Sequence, residues 1–203
     1  MKKFTRILSL LMVVFMMIGL AACGAEKDPE TDTDAPKKWV VATDTVFKPF
    51  EYTDKDGNFV GIDVEILAAV AADQGFEYEL KSLGWDASIA ACQSNQADAM
   101  IAGASITEDR KNAGWIFSDG YYTCTQSMAV NKDSAIKGFE DLKGKTVAVK
   151  TGTQGAFYAE SLKDQYGFSI AAYEDSPTMY QAVEGGQAVA CFEDTPIVKA
   201  SIK

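Results

Sequence analysis

The order of elements in the sequence predicts an α/β protein of two similar lobes, each a parallel sheet covered by helices. Three observations carry this expectation. Short apolar runs alternate with helix-like segments from residue 39 to 102, strand–helix–strand–helix–strand. The same grammar recurs from residue 146 to 192. A local echo marks equivalent places in the two series: Asn95-Gln96-Ala97-Asp98-Ala99-Met100 stands against Gly186-Gln187-Ala188-Val189-Ala190-Cys191, each between a helix and a strand. Ala and Gln are common, so the echo alone is weak; the matching order of elements is harder to ascribe to chance. Lobes of residues 39–120 and 127–203, joined by a hinge at 121–126, leave a cleft where a small ligand is expected.

The N-terminus reads as an address. Lys2, Lys3 and Arg6 precede a nearly continuous apolar run over residues 7–20, followed by Leu20-Ala21-Ala22-Cys23. This resembles a bacterial lipoprotein signal, in which Cys23 is lipidated and becomes the mature N-terminus. An ordinary secretory signal or an anchor helix is the alternative, although the run is short for a membrane span. Residues 24–38 are polar, charged and proline-containing, without a large apolar side chain, so they read as a flexible acidic tether.

The first strand is expected over residues 39–44, apolar and ending in Asp44. A loop with Phe47, Pro49, Phe50 and Tyr52 leads to Asp56-Gly57-Asn58, a turn signal. Asp63 is placed to cap a helix whose Val64, Leu67 and Val70 share a face, and Gly75 to end it. Residues 76–83 form a second strand, 85–95 a second helix, and Ala99 to Ala102 a buried strand closed by Gly103. In the second series residues 146–150 are a strand, and Thr151-Gly152-Thr153-Gln154-Gly155 is a Gly/Thr loop opening a helix over 156–163. Residues 168–173, 177–184 and 188–192 follow as strand, helix and strand.

Composition excludes several classes of function. The 203 residues are 47% hydrophobic, enough for real cores, and carry a net charge of −10. After Cys23 the balance is 16 basic against 29 acidic residues, or −13, which argues against a nucleic-acid partner. The chain has no histidine, so Ser-His-Asp triads, Cys-His pairs and His-ligated metal sites are absent. No cofactor or metal is expected.

The stretch from Ala97 to Arg110 carries the clearest chemistry. After Gly103, the hydroxyls of Ser105 and Thr107 suit a helix start, with Arg110 in its first turn. Free N–H groups and hydroxyls there accept a carboxylate, and a guanidinium grips it bidentately. A strand, a capped turn and a surface arginine is the plainer reading.

Seven motifs stand in one order: Val41-Ala-Thr-Asp-x-x-x-x-Pro-Phe50, Gly61-Ile-Asp-Val64, Gly103-x-Ser-Ile-Thr-x-x-Arg110, Phe117-Ser-Asp-Gly-Tyr-Tyr122, Glu140-Asp-Leu-Lys-Gly-Lys145, Val149-Lys-Thr-Gly-Thr153 and Glu193-Asp-Thr-Pro196. Together they resemble the polar-amino-acid solute-binding proteins of ABC importers (extracellular family 3), and among them the glutamine-binding members. The resemblance covers residues 39–203. It implies a periplasmic-binding-protein type II fold, two Rossmann-like lobes with a hinge and an interlobe cleft. It also implies a truncation: family chains continue past the helix that begins at Thr195, so the C-terminal part of the fold would be missing and the second lobe incomplete.

The resemblance implies roles as well. Arg110 would pair with a ligand α-carboxylate, helped by N–H groups near Ser105 and Gln154 in the loop that includes Thr153. Asp194 and the Gly103 carbonyl would receive the α-ammonium. Phe47 and Trp85 would sandwich the side chain, and Asp44 and Lys150 would meet its far end. The residue types fit, because a zwitterion needs one fixed cation and one fixed anion, and these come from different lobes. Asp44 as acceptor and Lys150 as donor complement a carboxamide. Alternatives stay open: Asp194 as a helix cap before Pro196, Phe47 and Trp85 as core, Asp44 and Lys150 paired with each other. Glu193 stands where the glutamine-binding members have a histidine, and Gln154 where the family often has a small residue.

The implied protein is a monomeric, lipid-anchored binding protein on the extracytoplasmic face of the cell membrane. Its partners would be a free polar amino acid, glutamine favoured, and the permease and ATPase subunits of an importer. It would not be an enzyme. A dehydratase-like enzyme of the same fold and an amino-acid sensory domain are the competing classes. By the family's topology Cys124 and Cys191 can approach each other, and export permits a disulfide.

Overall fold

A computed structural model of the chain describes residues 37–202. The expected signal, Cys23 and most of the expected tether lie outside the described residues. Lys38, assigned to the tether from sequence, instead opens the first strand.

In chain order the first half comprises β1 (Lys38–Thr43), β2 (Tyr52–Thr53), β3 (Phe59–Val60), α1 (Ile62–Gln74), β4 (Glu77–Ser82), α2 (Trp85–Gln93), β5 (Ala99–Met100) and α3 (Glu108–Asn112). A parallel sheet runs β4-β1-β5, while β2 and β3 form a separate hairpin around the turn at Gly57. The second half comprises β6 (Gln126–Val130), a 3-10 turn (Phe139–Leu142), β7 (Thr146–Lys150), α4 (Gln154–Tyr166), β8 (Ser169–Tyr173), α5 (Ser176–Glu184), β9 (Ala190–Asp194) and α6 (Thr195–Ser201). Its sheet runs β6-β9-β7-β8, with β6 antiparallel to β9 and the other pairs parallel.

The second half holds the larger core, because β7 and β9 are apolar on both faces and helices cover both. Val147, Val149 and Phe192 pack with Ala159 of α4 and Phe168 on one side. Ala148 and Cys191 pack with Met179 and Val183 of α5 on the other.

The sequence echo corresponds to a repeated geometry. In the first half Gln96 N and Ala97 N both donate to the Ala91 carbonyl, and Asp98 N reaches Val40 on β1. In the second, Gln187 N and Ala188 N both donate to Ala182, and Val189 N reaches Thr146 on β7. The turn needs a left-handed residue, supplied by Asn95 (φ 57°) and Gly186 (φ 75°).

Four local expectations are corrected. Asp63 does not cap α1. The N-cap is Gly61, and the orphan N–H groups of Ile62 and Asp63 donate to the Pro49 and Phe50 carbonyls (3.1 and 2.9 Å). With the helix start satisfied by backbone, the Asp63 carboxylate is free to turn inward. A Cβ on Gly61 (φ 139°) would lie 2.1 Å from the Phe50 oxygen, so only glycine permits this approach. The buried face of α1 is Asp63, Leu67 and Ala71, with Val70 exposed. The strand expected over 99–102 shortens to Ala99–Met100 and is only partly buried, because it pairs with β1 on one edge alone. Finally, α4 begins at Gln154, two residues before the expected start, because Thr153 caps it by accepting from Ala156 N (3.3 Å).

Candidate functional site

In open α/β sheets, ligands settle beyond the carboxyl ends of the parallel strands. Here the residues just after β1 and β5 face those ending β7 and β9 across a shared cavity. All ten residues singled out from sequence border it, together with Ala102.

Asp44 follows β1 and Lys150 ends β7, so each belongs to a different sheet. They form an ion pair, and both side chains are nearly inaccessible, at 3% and 2% exposure. The Lys150 ammonium also lies 5.1 Å from the Phe47 ring centre and 5.9 Å from that of Trp85. The pairing left open by the sequence is therefore present, and it stands inside the cavity.

Arg110 enters from the first turn of α3, whose cap is Thr107 (oxygen accepting from Arg110 N at 3.2 Å). Its Nη1 donates to the Ser105 carbonyl (2.8 Å), and its Nη2 reaches across to the Gly152 carbonyl (3.3 Å). Burial lowers its pKa, with the Asp194 charge opposing. Asp194 ends β9 and stands at the N-cap of α6 without capping it. Its carboxylate instead accepts from the Gln126 amide, directly opposite in the β6–β9 register. Burial raises its pKa, with Gln126, Cys124 and Arg110 pulling the other way. Neighbouring Glu193 is buried and turned from the cavity, accepting from Ser176 (2.6 Å) and the Asp194 N–H (3.0 Å). Arg110 and Asp194 thus face one cavity as a cation and an anion not bonded to each other.

Phe47 serves two purposes. It borders the cavity and also packs with Phe50 and with Ile197 of α6. The indole Nε1 of Trp85 is buried without a hydrogen-bond partner. Gly155 lets α4 start directly against β9, where a Cβ would lie 2.5 Å from the Phe192 oxygen. Gly155→Ala is therefore expected to overpack this junction by about 1–3 kcal/mol. In a thermal melt that is a fall of several degrees, roughly 2–4 °C per kcal/mol for a chain of this size.

Asp63, Tyr121 and Glu51 take positions that the sequence reading did not assign to them. Asp63 Oδ2 accepts from Gly103 N (2.6 Å) and Oδ1 from the Tyr121 hydroxyl (2.8 Å), tying the cavity loop to the segment that crosses between the halves. Glu51 lies close by, fully buried, with neither carboxyl oxygen in a well-aligned hydrogen bond. Burial first, then the charges of Asp63 and Asp44, push its pKa up to about 10. The only signals were a glycine-anchored Asp63 and an acid beside Pro49-Phe50, both equally suited to surface roles.

Glu51 is more easily protonated in the folded chain than in the unfolded one, so its contribution favours folding fully below pH 4.5. That contribution is lost as pH rises toward 10. Glu51→Gln is expected to flatten the fall of melting temperature between pH 5 and 9 and to raise stability at the alkaline end. An unchanged slope would show that Glu51 ionises freely.

Cys124 and Cys191 are unbonded thiols. The β6–β9 register sets Cys191 opposite Ala129, five residues beyond Cys124, which rules out the expected bridge in this arrangement. No helix among the described residues is long and apolar enough to cross a membrane.

Residues 39–190 match the profile of the bacterial extracellular solute-binding proteins, family 3. The arginine-binding extracellular protein ArtP of Bacillus subtilis (strain 168) is 37% identical over 168 residues, covering 83% of this chain. The matched part is 63% of ArtP, so the chain spans less than two thirds of that relative's length. An ancestral arginine-binding protein solved with arginine bound matches with a TM-score of 0.75 at 32% identity, over 80% of this chain and 72% of that one. Solved with glutamine bound, the ancestral protein matches with a TM-score of 0.74, at the same identity and coverage. The fold is the type II periplasmic-binding-protein fold, two Rossmann-like lobes around a cleft. By motif, profile and fold, this chain belongs to the bacterial extracellular solute-binding proteins of family 3.

Proposed function

We propose that this chain binds a free polar amino acid in its cleft, glutamine favoured, and hands it to the permease of an ABC importer. The observation that carries the reading is that Arg110, on α3 in the first half of the chain, and Asp194, at the end of β9 in the second, border one cavity unpaired with each other. An amino acid's carboxylate and ammonium match that charge pair, and only closed lobes satisfy both ends. In this reading residues 39–120 and 127–203 move about a hinge at 121–126. Ser105, Thr153 and Gln154 assist at the carboxylate, the Gly103 carbonyl at the ammonium, and Phe47 and Trp85 flank the side chain.

The preference for glutamine rests on Asp44 and Lys150. Their buried pair is neutral as a whole, and it offers an acceptor and a donor side by side, as a carboxamide requires. The names of ArtP and of the ancestral protein support a second reading, a cationic side chain on Asp44 with Lys150 displaced. Lipidation at Cys23 would hold a monomer on the extracytoplasmic membrane face. Isothermal titration with glutamine, arginine, glutamate and cystine tests the proposal. Binding of glutamine ahead of arginine is the expected order, and no binding by any of them would overturn it.

A further inference from the structure

We propose that Trp115 is a positioning residue for the carboxylate clamp: its ring and that of Trp85 both lie within cation–π distance of the Arg110 guanidinium and fix the plane of its fork. The inference rests on Arg110 serving as the clamp. The guanidinium carbon lies 5.1 Å from the Trp85 ring centre and 5.2 Å from that of Trp115. Arg110 is only 8% exposed, and among the described residues no carboxylate lies within ion-pair distance of it. Two carbonyl oxygens take hydrogen bonds from it, and the indole faces supply the remaining electrostatic support a desolvated cation needs.

Trp85 borders the cavity and is available to a ligand, whereas Trp115 is not among the residues that line it. Its role is therefore exerted through the arginine. Trp115 is itself held in place: its main-chain N–H donates to the Arg110 carbonyl (3.0 Å), and its ring stacks on Phe117 at 5.8 Å with planes 28° apart. The sheet of π-density it presents restricts rotation of the fork, so that two N–H groups stay aimed for bidentate contact.

The test compares L-glutamine with 4-aminobutanamide, which keeps the ammonium and carboxamide but lacks the carboxylate. Trp115→Ala is expected to weaken L-glutamine about tenfold and 4-aminobutanamide less than about twofold, while Trp115→Phe stays within about threefold of wild type for both. In the ligand-free protein, ring currents are expected to shift the Arg110 Nε–H resonance upfield, and Trp115→Ala to return it downfield. An equal loss for the two ligands, or an unmoved resonance, overturns the proposal. If Trp115→Ala does not fold, Trp115→Leu, which keeps bulk without a π-face, carries the same comparison. If wild type binds neither compound, the proposed function fails, and the resonance alone decides whether Trp115 positions Arg110.

Discussion

Arg110→Ala is expected to weaken amino-acid binding by about 2–5 kcal/mol, roughly 30- to 5,000-fold. The guanidinium is buried, fixed on Ser105 and Gly152, and bonded to no acid among the described residues, so its charge is available to a ligand carboxylate. Removing it would leave that carboxylate desolvated against backbone N–H groups alone. Arg110→Lys is expected to fall between, since it keeps the charge and loses the fork. Isothermal titration with glutamine reads the effect, with a melting curve of each variant as control. Unchanged affinity in a folded Arg110→Ala variant would remove Arg110 from the site.

Lys150→Met is expected to lower stability by about 3–5 kcal/mol, because Asp44 would remain buried as an uncompensated charge. For a chain of this size that is a fall of about 6–20 °C in melting temperature. Asp44→Leu combined with Lys150→Met is expected to recover most of that loss, since a buried pair replaced by apolar groups of similar volume is often neutral. Glutamine affinity is not expected to return in the double variant, because both carboxamide partners are gone. Recovered binding there would mean that the pair holds the lobes together without reading the ligand.

The strand–helix alternation was legible because each element carries its own period and its own punctuation. Gly75 ends α1 in a left-handed conformation, as its position after the apolar face suggested. Thr107 caps α3 as expected. Eight of the ten cavity residues singled out from sequence were legible through ordered motifs rather than through any single spacing, Trp85 and Gln154 through the resemblance alone, and the structure brings all ten to one cavity. What escaped depends on contacts made outside each residue's own motif. Asp63 has the composition of a helix cap, yet the Pro49 and Phe50 carbonyls meet that need and release it toward Gly103 and Tyr121. Glu51 gives no local sign that it will be buried among like charges. Trp115 lies five residues past Arg110, outside the motif that drew attention to the arginine. A propensity argument sees one element at a time, and these residues act between elements.

Strand β6 leaves the crossing segment and pairs at once with β9, placing Gln126 on the carboxylate of Asp194. Around it, Thr195 N donates to the Thr125 carbonyl (2.8 Å), and the hydroxyls of Thr125 and Ser127 meet that of Thr195 (2.8 and 2.7 Å). The anionic end of the cleft is thus laced to the very span about which the lobes would swing. On the proposed function, a ligand held by the Asp194 carboxylate would therefore stiffen the pivot itself.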